Sequence, residues 1–198
     1  MDHVRAFVGI ALPPACQDLA DRLSARLAAL AGRRISRVRA GQAHLTLKFL
    51  GNVPATGPDG IEAVATALAD VRFAPFALQL AGGGFFPGAA RPRVIWAGVR
   101  EGAAACRALA RDVDAALAPL GFAPEEKPFA AHLTLARVRE ARRGDDWPAA
   151  LALLEEAQWP PVTVVSLTLW RSVLGASGAR HEVLGEFPAT PGEADALP

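Results

Sequence analysis

The stretches HLTLKFLG (44 to 51) and HLTLARV (132 to 138) open with the same four residues, His-Leu-Thr-Leu, in a chain of 198. Each run alternates polar and apolar residues, so in a β-strand His and Thr lie on one face and both Leu on the other. The chain has four histidines, and two of them open these runs. We therefore predict one such strand in each half of a two-fold repeat, with two imidazoles and two hydroxyls gathered where the strands meet.

Length and composition limit the classes of protein to which the chain can belong. A chain of 198 residues suffices for one compact domain, and a formal net charge of +1 gives no global attraction to nucleic acid or membranes. The first 14 residues contain too short an apolar run, interrupted by Arg5, for a signal peptide or a membrane span. We expect a cytoplasmic protein whose two cysteines, Cys16 and Cys106, are reduced.

Hydrophobic spacing predicts mixed secondary structure along the chain. Apolar residues recur at helical spacing in four segments and alternate as in strands or hairpins in the others. The predicted helices are 14–30, 60–72, 102–118 and 146–157, and the predicted strands and hairpins lie at 4–11, 75–80, 81–99 and 162–187. We predict a single domain over residues 1–188, followed by a disordered tail, 189–198, that has little to bury.

Two further segments each allow two interpretations. Residues 33–42 carry four arginines, which indicate either a solvated edge or a basic rim that steers a phosphorylated ligand toward His44. Phe85 and Phe86 follow three glycines in a predicted hairpin. They either pack as core residues or offer a stacking surface to a nucleic-acid base.

The repeated run suits the chemistry of phosphoryl displacement. Alternate residues of a strand lie about 6.5 Å apart on one face, so His44 and Thr46 can contact one tetrahedral anion, as can His132 and Thr134. In-line displacement needs a base on the attacking water and an acid on the departing oxygen. Two histidines with ordinary pKa values near 6.5 can supply both, while threonine hydroxyls hold the phosphoryl oxygens.

Metal-binding sequence patterns are absent from the chain, which has no HxH, HExxH or paired Cys-x-x-Cys run. We therefore predict no metal and no other cofactor.

Two cations follow the repeats. Lys48 is four residues after His44, so strand alternation predicts that it shares the histidine's face and adds positive charge beside a phosphate. Arg137 is five residues after His132, and a regular strand turns it to the opposite face. It remains a candidate for substrate binding if the strand bulges or ends near Ala136, and a salt bridge or solvated end is the alternative.

The residues resemble the 2H phosphoesterase superfamily, and within it the bacterial and archaeal RNA 2′,3′-cyclic phosphodiesterases, historically called 2′-5′ RNA ligases. The resemblance covers most of the chain. It is carried by the two HxTx motifs with FLG after the first, together with RAFVGIALP, GGFFPGAARPRVIWAGV and LTLWRSVLGASGARHEVLGEF.

This resemblance implies a bilobal α+β fold, LigT-like, with an antiparallel sheet in each lobe and the active cleft between the lobes. It implies that His44 is the proton donor, His132 the proton acceptor, and Thr46 and Thr134 the phosphate-holding hydroxyls. The implied reaction is metal-independent hydrolysis of a terminal 2′,3′-cyclic phosphate to a 2′-phosphomonoester. The implied partners are RNA 3′ ends or 2′,3′-cyclic nucleotides. We expect a monomer that does not bind a membrane.

Some positions depart from the family pattern and bear on substrate contacts. Arg37 stands where Trp is frequent, Ala130 and Ala131 replace a common Arg-Pro, and His181 stands where Tyr is usual. Two other functions use the same residues: a 2′-5′ RNA ligase running in the reverse direction, and a non-catalytic module that binds RNA ends or nucleotides. Two intact His-x-Thr pairs favour catalysis, because Lys or Arg would serve binding equally well.

Overall fold

The two repeated runs form neighbouring strands at the centre of one sheet. The computed structural model describes residues 2–31, 34–39, 41–125, 127–142, 144–175 and 178–190. The first run begins strand β3, His44–Pro54, and the second begins strand β6, His132–Val138. They pair antiparallel at Leu45 and Leu133, both fully buried. The prediction of two adjacent HxTx strands is confirmed.

The other elements follow the order expected from the sequence. The described strands also include β1 (His3–Ala11), β2 (Ile35–Arg37), β4 (Phe76–Phe86), β5 (Val94–Glu101), β7 (Val162–Val164), β8 (Ser166–Gly175) and β9 (Gly178–Pro188). The α-helices are α1 (Pro14–Ala31), α2 (Ile61–Ala69), α3 (Ala103–Leu117) and α4 (Trp147–Glu155), and a 3-10 turn spans Ala118–Leu120.

The strands form one curled antiparallel sheet in the order β7-β4-β5-β6-β3-β1-β8-β9, with β2 paired to the end of β6. We call β3, β1, β8 and β9 the first lobe, and β6, β5, β4 and β7 the second lobe. The expected α+β bilobal fold is therefore confirmed, but the lobes share one continuous sheet. They are joined where β3 meets β6.

One face of the sheet is packed against the helices. Leu45, Leu47, Leu133 and Leu135 belong to the main buried cluster, which also includes apolar residues of all four α-helices. The Ser24 hydroxyl of α1 donates a hydrogen bond to the Leu135 carbonyl. We call this side the helix-covered face, and the side that carries the HxTx His and Thr residues the open face.

Local sequence signals account for the start of α4. Asp146 precedes α4 and accepts a hydrogen bond from the backbone N–H of Ala149, and Pro148 lies in the first turn, as expected of a capped helix start. The first strand of the predicted terminal segment, 162–187, is instead two strands, β7 and β8. It breaks at the exposed Val165, where the chain passes from pairing with β4 to pairing with β1.

The first two residues of the predicted tail, 189–198, make backbone hydrogen bonds to the rest of the chain. The backbone N–H groups of Ala189 and Thr190 donate hydrogen bonds to the carbonyls of Val165 and Phe73. The rest of the predicted tail, 191–198, lies outside the described residues. In the part of the chain that the structure describes, no helix combines the length and apolarity needed to cross a membrane.

Candidate active site

Each HxTx strand carries a β-bulge directly after its threonine. Val8 of β1 pairs with Lys48 and Gly9 with Thr46, so Leu47 is an extra residue in β3. Likewise Ile95 of β5 pairs with Ala136 and Trp96 with Thr134, so Leu135 is an extra residue in β6. The first seven residues of both strands show one burial pattern, in which two consecutive buried residues interrupt the alternation. As a result, the residue at His+4 is buried and the residue at His+5 lies on the open face.

The bulge overturns the prediction for Lys48. Lys48 is 3% exposed on the helix-covered face. Its ammonium lies 2.5 Å from the Asp114 carboxylate of α3 and donates to the Ala123 carbonyl at 2.7 Å. Strand alternation failed here because one extra residue at Leu47 shifts the phase of everything after it.

The matching bulge brings Arg137 to the open face. The sequence made its candidacy conditional on a bulge near Ala136, and the bulge occurs at Leu135. Arg137 is exposed, and its charge contributes to the depressed pKa of His44 on the neighbouring strand. A cation therefore lies at the rim of the site, supplied by the second lobe.

Both histidine rings are held in the same way. The Nδ1 atom of His44 lies 2.8 Å from the Gln42 carbonyl, and Nδ1 of His132 lies 2.7 Å from the Ala130 carbonyl. A carbonyl oxygen only accepts, so each Nδ1–H donates and each Nε2 carries the lone pair in the neutral ring. Each Nε2 atom is therefore left available to accept or donate a proton, and each ring is oriented by the residue two before it.

In the first lobe His44 lies on an aromatic floor. The ring of Phe7, 3% exposed, stacks against His44 with centroids 4.7 Å apart and against Trp170 with centroids 5.2 Å apart. His181 of β9 meets His44 edge-on at 5.1 Å and Phe7 at 4.9 Å. The curl of the sheet thus brings residues of three other strands around the His44 imidazole.

This environment opposes protonation of His44. Burial lowers the pKa of His44 to about 4, with smaller contributions in the same direction from His181, Arg137 and His132, while the Gln42 carbonyl acts in the opposite direction. Burial also lowers the pKa of His181. In the ligand-free protein His44 is therefore neutral at pH 7.

In the second lobe His132 has fewer aromatic neighbours. Phe86 meets its ring edge-on at 5.0 Å and stacks on Trp96, whose centroid is 6.3 Å from the imidazole. Of the two phenylalanines proposed for stacking, Phe86 therefore lies beside the site. Phe85 instead contacts Trp147 of α4 and packs against the core, as in its alternative interpretation.

The arginine-rich segment is largely engaged in ion pairs outside the site. Arg34 pairs with Asp145 at 2.5 Å and Arg37 with Asp21 of α1 at 2.9 Å. Arg33 lies outside the described residues. These pairs favour the solvated-edge interpretation over a basic rim for Arg34 and Arg37, and Arg39 is exposed.

Sequence reasoning missed Trp170 and His181 as neighbours of His44. A signal was present: Leu167-Thr168-Leu169, directly before Trp170, repeats the LTL of the two motifs on β8. Gly9 of β1 pairs with Thr46 on one side and with Thr168 on the other. Its missing side chain lets the Trp170 ring approach, since a Cβ there would lie 3.2 Å from that ring and 2.3 Å from the Leu45 carbonyl.

The described residues contain no group of three or more His, Cys, Asp or Glu side chains suited to a metal ion. The groups that they do bring together are two imidazoles with free Nε2 atoms on adjacent strands, two threonines on the same face, and an arginine at the rim. Such a set can donate a proton, accept a proton and hold an anion between them.

Comparison with known protein families gives one match over most of the chain. The model of the 2'-5' RNA ligase superfamily matches residues 12–176, a range that includes both HxTx strands.

Curated relatives support the same assignment. A protein of Aeropyrum pernix named RNA 2′,3′-cyclic phosphodiesterase is 38% identical over 149 residues, which are 74% of this chain and 81% of the relative. A protein of the same name from Archaeoglobus fulgidus is 34% identical over 184 residues, covering 93% of this chain and 99% of the relative.

Solved structures share the fold. The crystal structure of E. coli LigT complexed with 3′-AMP superposes with a TM-score of 0.72 at 26% identity, covering 96% of this chain and 99% of that one. A protein of Thermus thermophilus superposes with a TM-score of 0.68 at 29% identity over 94% of this chain and 98% of its own.

Proposed function

We propose that this chain, which belongs to the 2'-5' RNA ligase superfamily, hydrolyses the terminal 2′,3′-cyclic phosphate of RNA to a 2′-phosphomonoester without a metal ion. Its relatives named RNA 2′,3′-cyclic phosphodiesterase are 29 to 38% identical to it. This similarity supports the same class of enzyme for this chain. The position of cleavage, the metal independence and the roles of individual residues are our proposal from the site.

One observation carries the proposal: two imidazoles on adjacent strands, each with Nδ1 committed to a backbone carbonyl and Nε2 left for chemistry. Because β3 and β6 run antiparallel and pair at Leu45 and Leu133, the two histidines lie on opposite sides of that pair, and a phosphorus bound between them would have one imidazole on each side. In-line displacement needs that arrangement, with acid and base on opposite sides of the phosphorus.

The proposed reaction adds one water across one P–O bond. His132 Nε2 accepts a proton from the water as its oxygen bonds to phosphorus. His44 Nε2–H donates a proton to O3′ as the P–O3′ bond breaks, which leaves the phosphate on O2′. The hydroxyls of Thr46 and Thr134 donate hydrogen bonds to the non-bridging oxygens, and Arg137 adds positive charge there. Proton exchange with solvent returns both rings to their starting states.

The depressed pKa of His44 fits this scheme only if the substrate restores its proton. The ligand-free ring is neutral at pH 7, as burial and neighbouring positive charge require. A cyclic phosphate carries a negative charge, and an adjacent anion favours the imidazolium. Substrate binding therefore supplies the acid form of His44 where the acid is needed.

The experiment is hydrolysis of a 2′,3′-cyclic-ended oligoribonucleotide and of adenosine 2′,3′-cyclic phosphate in excess EDTA, with the 2′ and 3′ products resolved. We expect turnover to the 2′-phosphate and a bell-shaped pH profile. Loss of activity on chelation contradicts the metal-free mechanism. Formation of a 2′-5′ linkage from a cyclic end and a 5′-hydroxyl end would indicate the ligase. Unchanged ligand affinity in His44→Ala and His132→Ala, with no turnover in the unaltered protein, would indicate a binding module.

A further inference from the structure

The segment that leads into the first HxTx strand is held by a side chain of α1 that the catalytic scheme does not use. Gln17 lies near the start of α1 and is half-buried. Its Oε1 accepts a hydrogen bond from the Ala43 backbone N–H at 2.9 Å, and its Nε2 donates to the Ala43 carbonyl at 2.7 Å. Nε2 also donates to the Leu12 carbonyl at 3.2 Å. One side-chain amide therefore binds the residue directly before His44 on both sides.

This contact continues the pairing of β1 with β3 past its last backbone pair. The pairing ends where Ala11 lies opposite His44. One residue further, Leu12 would lie opposite Ala43, but the chain turns there into α1. The amide of Gln17 takes the place of the missing strand neighbour, since it donates and accepts as a backbone peptide group does.

The peptide group bound by Gln17 is also the one that orients the His44 ring. The N–H of this peptide group belongs to Ala43, and its C=O is the Gln42 carbonyl, which accepts from His44 Nδ1–H at 2.8 Å. Because a peptide group is planar and rigid, a hydrogen bond at its N–H helps to fix the direction of its C=O. Linked hydrogen bonds also polarise one another, so the bond to Gln17 makes the Gln42 carbonyl a stronger acceptor.

The second lobe holds its histidine without a contact of this kind. The Ala130 carbonyl accepts from His132 Nδ1–H, and the N–H of the same peptide group belongs to Ala131. Within the described ranges of the chain, no side chain makes a hydrogen bond to Ala131. The two histidines therefore share the carbonyl contact, but only the first has a side chain behind that carbonyl.

We propose that Gln17 is a positioning residue that acts through the Ala43 peptide to hold the His44 ring with Nε2 directed at the leaving oxygen. The proposal rests on the function proposed above, in which His44 protonates O3′. A general acid acts only when its proton points at the departing oxygen, so the orientation of the ring enters the rate of the chemical step.

Gln17 also bears on how readily His44 takes up a proton. Burial lowers the pKa of His44, whereas the Gln42 carbonyl raises it. The charged groups that lower it further come from β9 and β6, and they are His181, Arg137 and His132. A weaker Gln42 acceptor would therefore leave less of the acid form when substrate is bound.

The test compares two substrates that differ in their need for an acid. Adenosine 2′,3′-cyclic phosphate has an alkoxide leaving group that must be protonated, whereas a 4-nitrophenyl phosphodiester releases a phenolate that leaves without a proton. The variant is Gln17→Met, which keeps the length of the side chain and loses its hydrogen bonds. Gln79→Met is the matched control, because Gln79 of β4 is also half-buried and donates to two backbone carbonyls, those of Leu80 and Trp159.

We expect Gln17→Met to lower kcat on the cyclic phosphate about tenfold, with KM within about twofold of the unaltered enzyme. On the 4-nitrophenyl substrate kcat should fall by less than about twofold, because no proton from His44 is needed. Gln79→Met should change kcat on neither substrate. Equal losses on both substrates overturn the proposal, since they indicate general damage to the site. A loss of stability with unchanged kcat on both also overturns it, since Gln17 would then only close the end of the β1–β3 pairing.

A measurement on the ligand-free protein separates this inference from the proposed reaction. NMR of the imidazole nitrogens at alkaline pH reports which ring nitrogen carries the proton, and it needs no turnover. Gln17→Met should raise the fraction of His44 with the proton on Nε2 and leave that of His132 unchanged. If this fraction rises but the unaltered protein hydrolyses no cyclic phosphate, the proposed function fails and the effect of Gln17 on His44 stands. If hydrolysis proceeds and the His44 signals do not move, the inference about Gln17 fails alone.

Discussion

The two HxTx strands are alike through their first four residues and diverge directly after the bulge. Both hold a histidine by a carbonyl two residues back, and both bulge at the second leucine. Beyond that point β3 carries Lys48 and Phe49, whereas β6 carries Ala136 and Arg137. The shared part places two histidines and two threonines in equivalent positions, and the divergent part places an aromatic ring at one rim and a cation at the other. The candidate site is therefore asymmetric at its rims although its histidines and threonines repeat.

The largest expected effect comes from the two histidines, whose proposed proton-transfer roles differ although their motifs are the same. His44→Ala and His132→Ala should each lower kcat on adenosine 2′,3′-cyclic phosphate by about 10²–10⁴, because each removes a proton-transfer group. With a 4-nitrophenyl phosphodiester the leaving group needs no proton, so the His44 variant should recover much of its loss and the His132 variant should not. The opposite recovery would exchange the two roles. Unchanged thermal unfolding of both variants is the control.

The next effect concerns the buried position after the bulge. Lys48→Met leaves the Asp114 carboxylate without its cation and the Ala123 carbonyl without its donor. We expect the free energy of unfolding to fall by about 2–3 kcal/mol, less than for a fully buried pair because Asp114 is partly exposed. Urea unfolding measures the change.

Two further variants control for the Lys48 result. Arg37→Met, which breaks the exposed pair with Asp21, should lower the free energy of unfolding by under about 0.5 kcal/mol. Lys48→Met combined with Asp114→Leu should recover part of the loss. If Lys48→Met changed KM and not stability, Lys48 would be a substrate contact after all.

The threonines test whether Arg137 makes the lobes unequal in holding the phosphate. Thr46→Val and Thr134→Val each remove a proposed hydrogen bond to a charged oxygen, and kcat/KM should fall about tenfold for each. The loss should be larger for Thr46, because the first lobe has Phe49 and not a cation at its rim. Thr→Ser at the same positions keeps the hydroxyl and should restore most of the activity. Equal losses would mean that Arg137 does not compensate for the hydrogen bond lost in Thr134→Val.

The last effect is a pH dependence of stability that arises from the first lobe. Burial lowers the pKa of His44 to about 4 in the folded protein, against about 6.5 in the unfolded chain. Between these values the unfolded state binds more protons, so stability falls as the pH is lowered from about 6.5 to 4, by up to about 1.4 kcal/mol per pH unit. The lowered pKa of His181 acts in the same direction.

Urea unfolding of the unaltered protein and of His44→Gln across this pH range measures that dependence. The variant should lose the His44 part of the slope. Adding inorganic phosphate should raise the pKa of His44, as followed by its NMR titration, and an unmoved titration would contradict restoration of the acid form by an anion.

Much of the fold was predictable because its signals are local. The helical spacing of leucines gave α1, Asp146 and Pro148 gave the start of α4, and the repeated His-Leu-Thr-Leu gave the two central strands. The pairing of β3 with β6 was predictable only because the two copies repeat in phase. The transfer of the chain from β4 to β1 at Val165 depends on tertiary pairing and has no local signal.

The site was predictable as far as the first bulge. His44, Thr46, His132 and Thr134 share the open face as alternation requires. Lys48 was predicted on the wrong face, because the apolar sequence gives no sign that Leu47 is an extra residue of a bulge. His181 lies close to His44 because the sheet curls across four strands. The alternation of residues within one strand carries no information about that curl.

The paired bulges have a consequence for how this chain tolerates evolutionary change. Substitution at Phe49 or Arg137 alters one contact at the rim and leaves the rest of its strand in place. Inserting one residue directly after Leu47 or Leu135 would instead shift the alternation, moving Lys48 or Ala136 to the open face and Phe49 or Arg137 toward the helices, whereas deleting either leucine would keep those faces but remove a buried core side chain. Descendants of this sequence can therefore diversify their substrates by replacing residues after the motif, while the spacing between motif and rim should resist insertions and deletions.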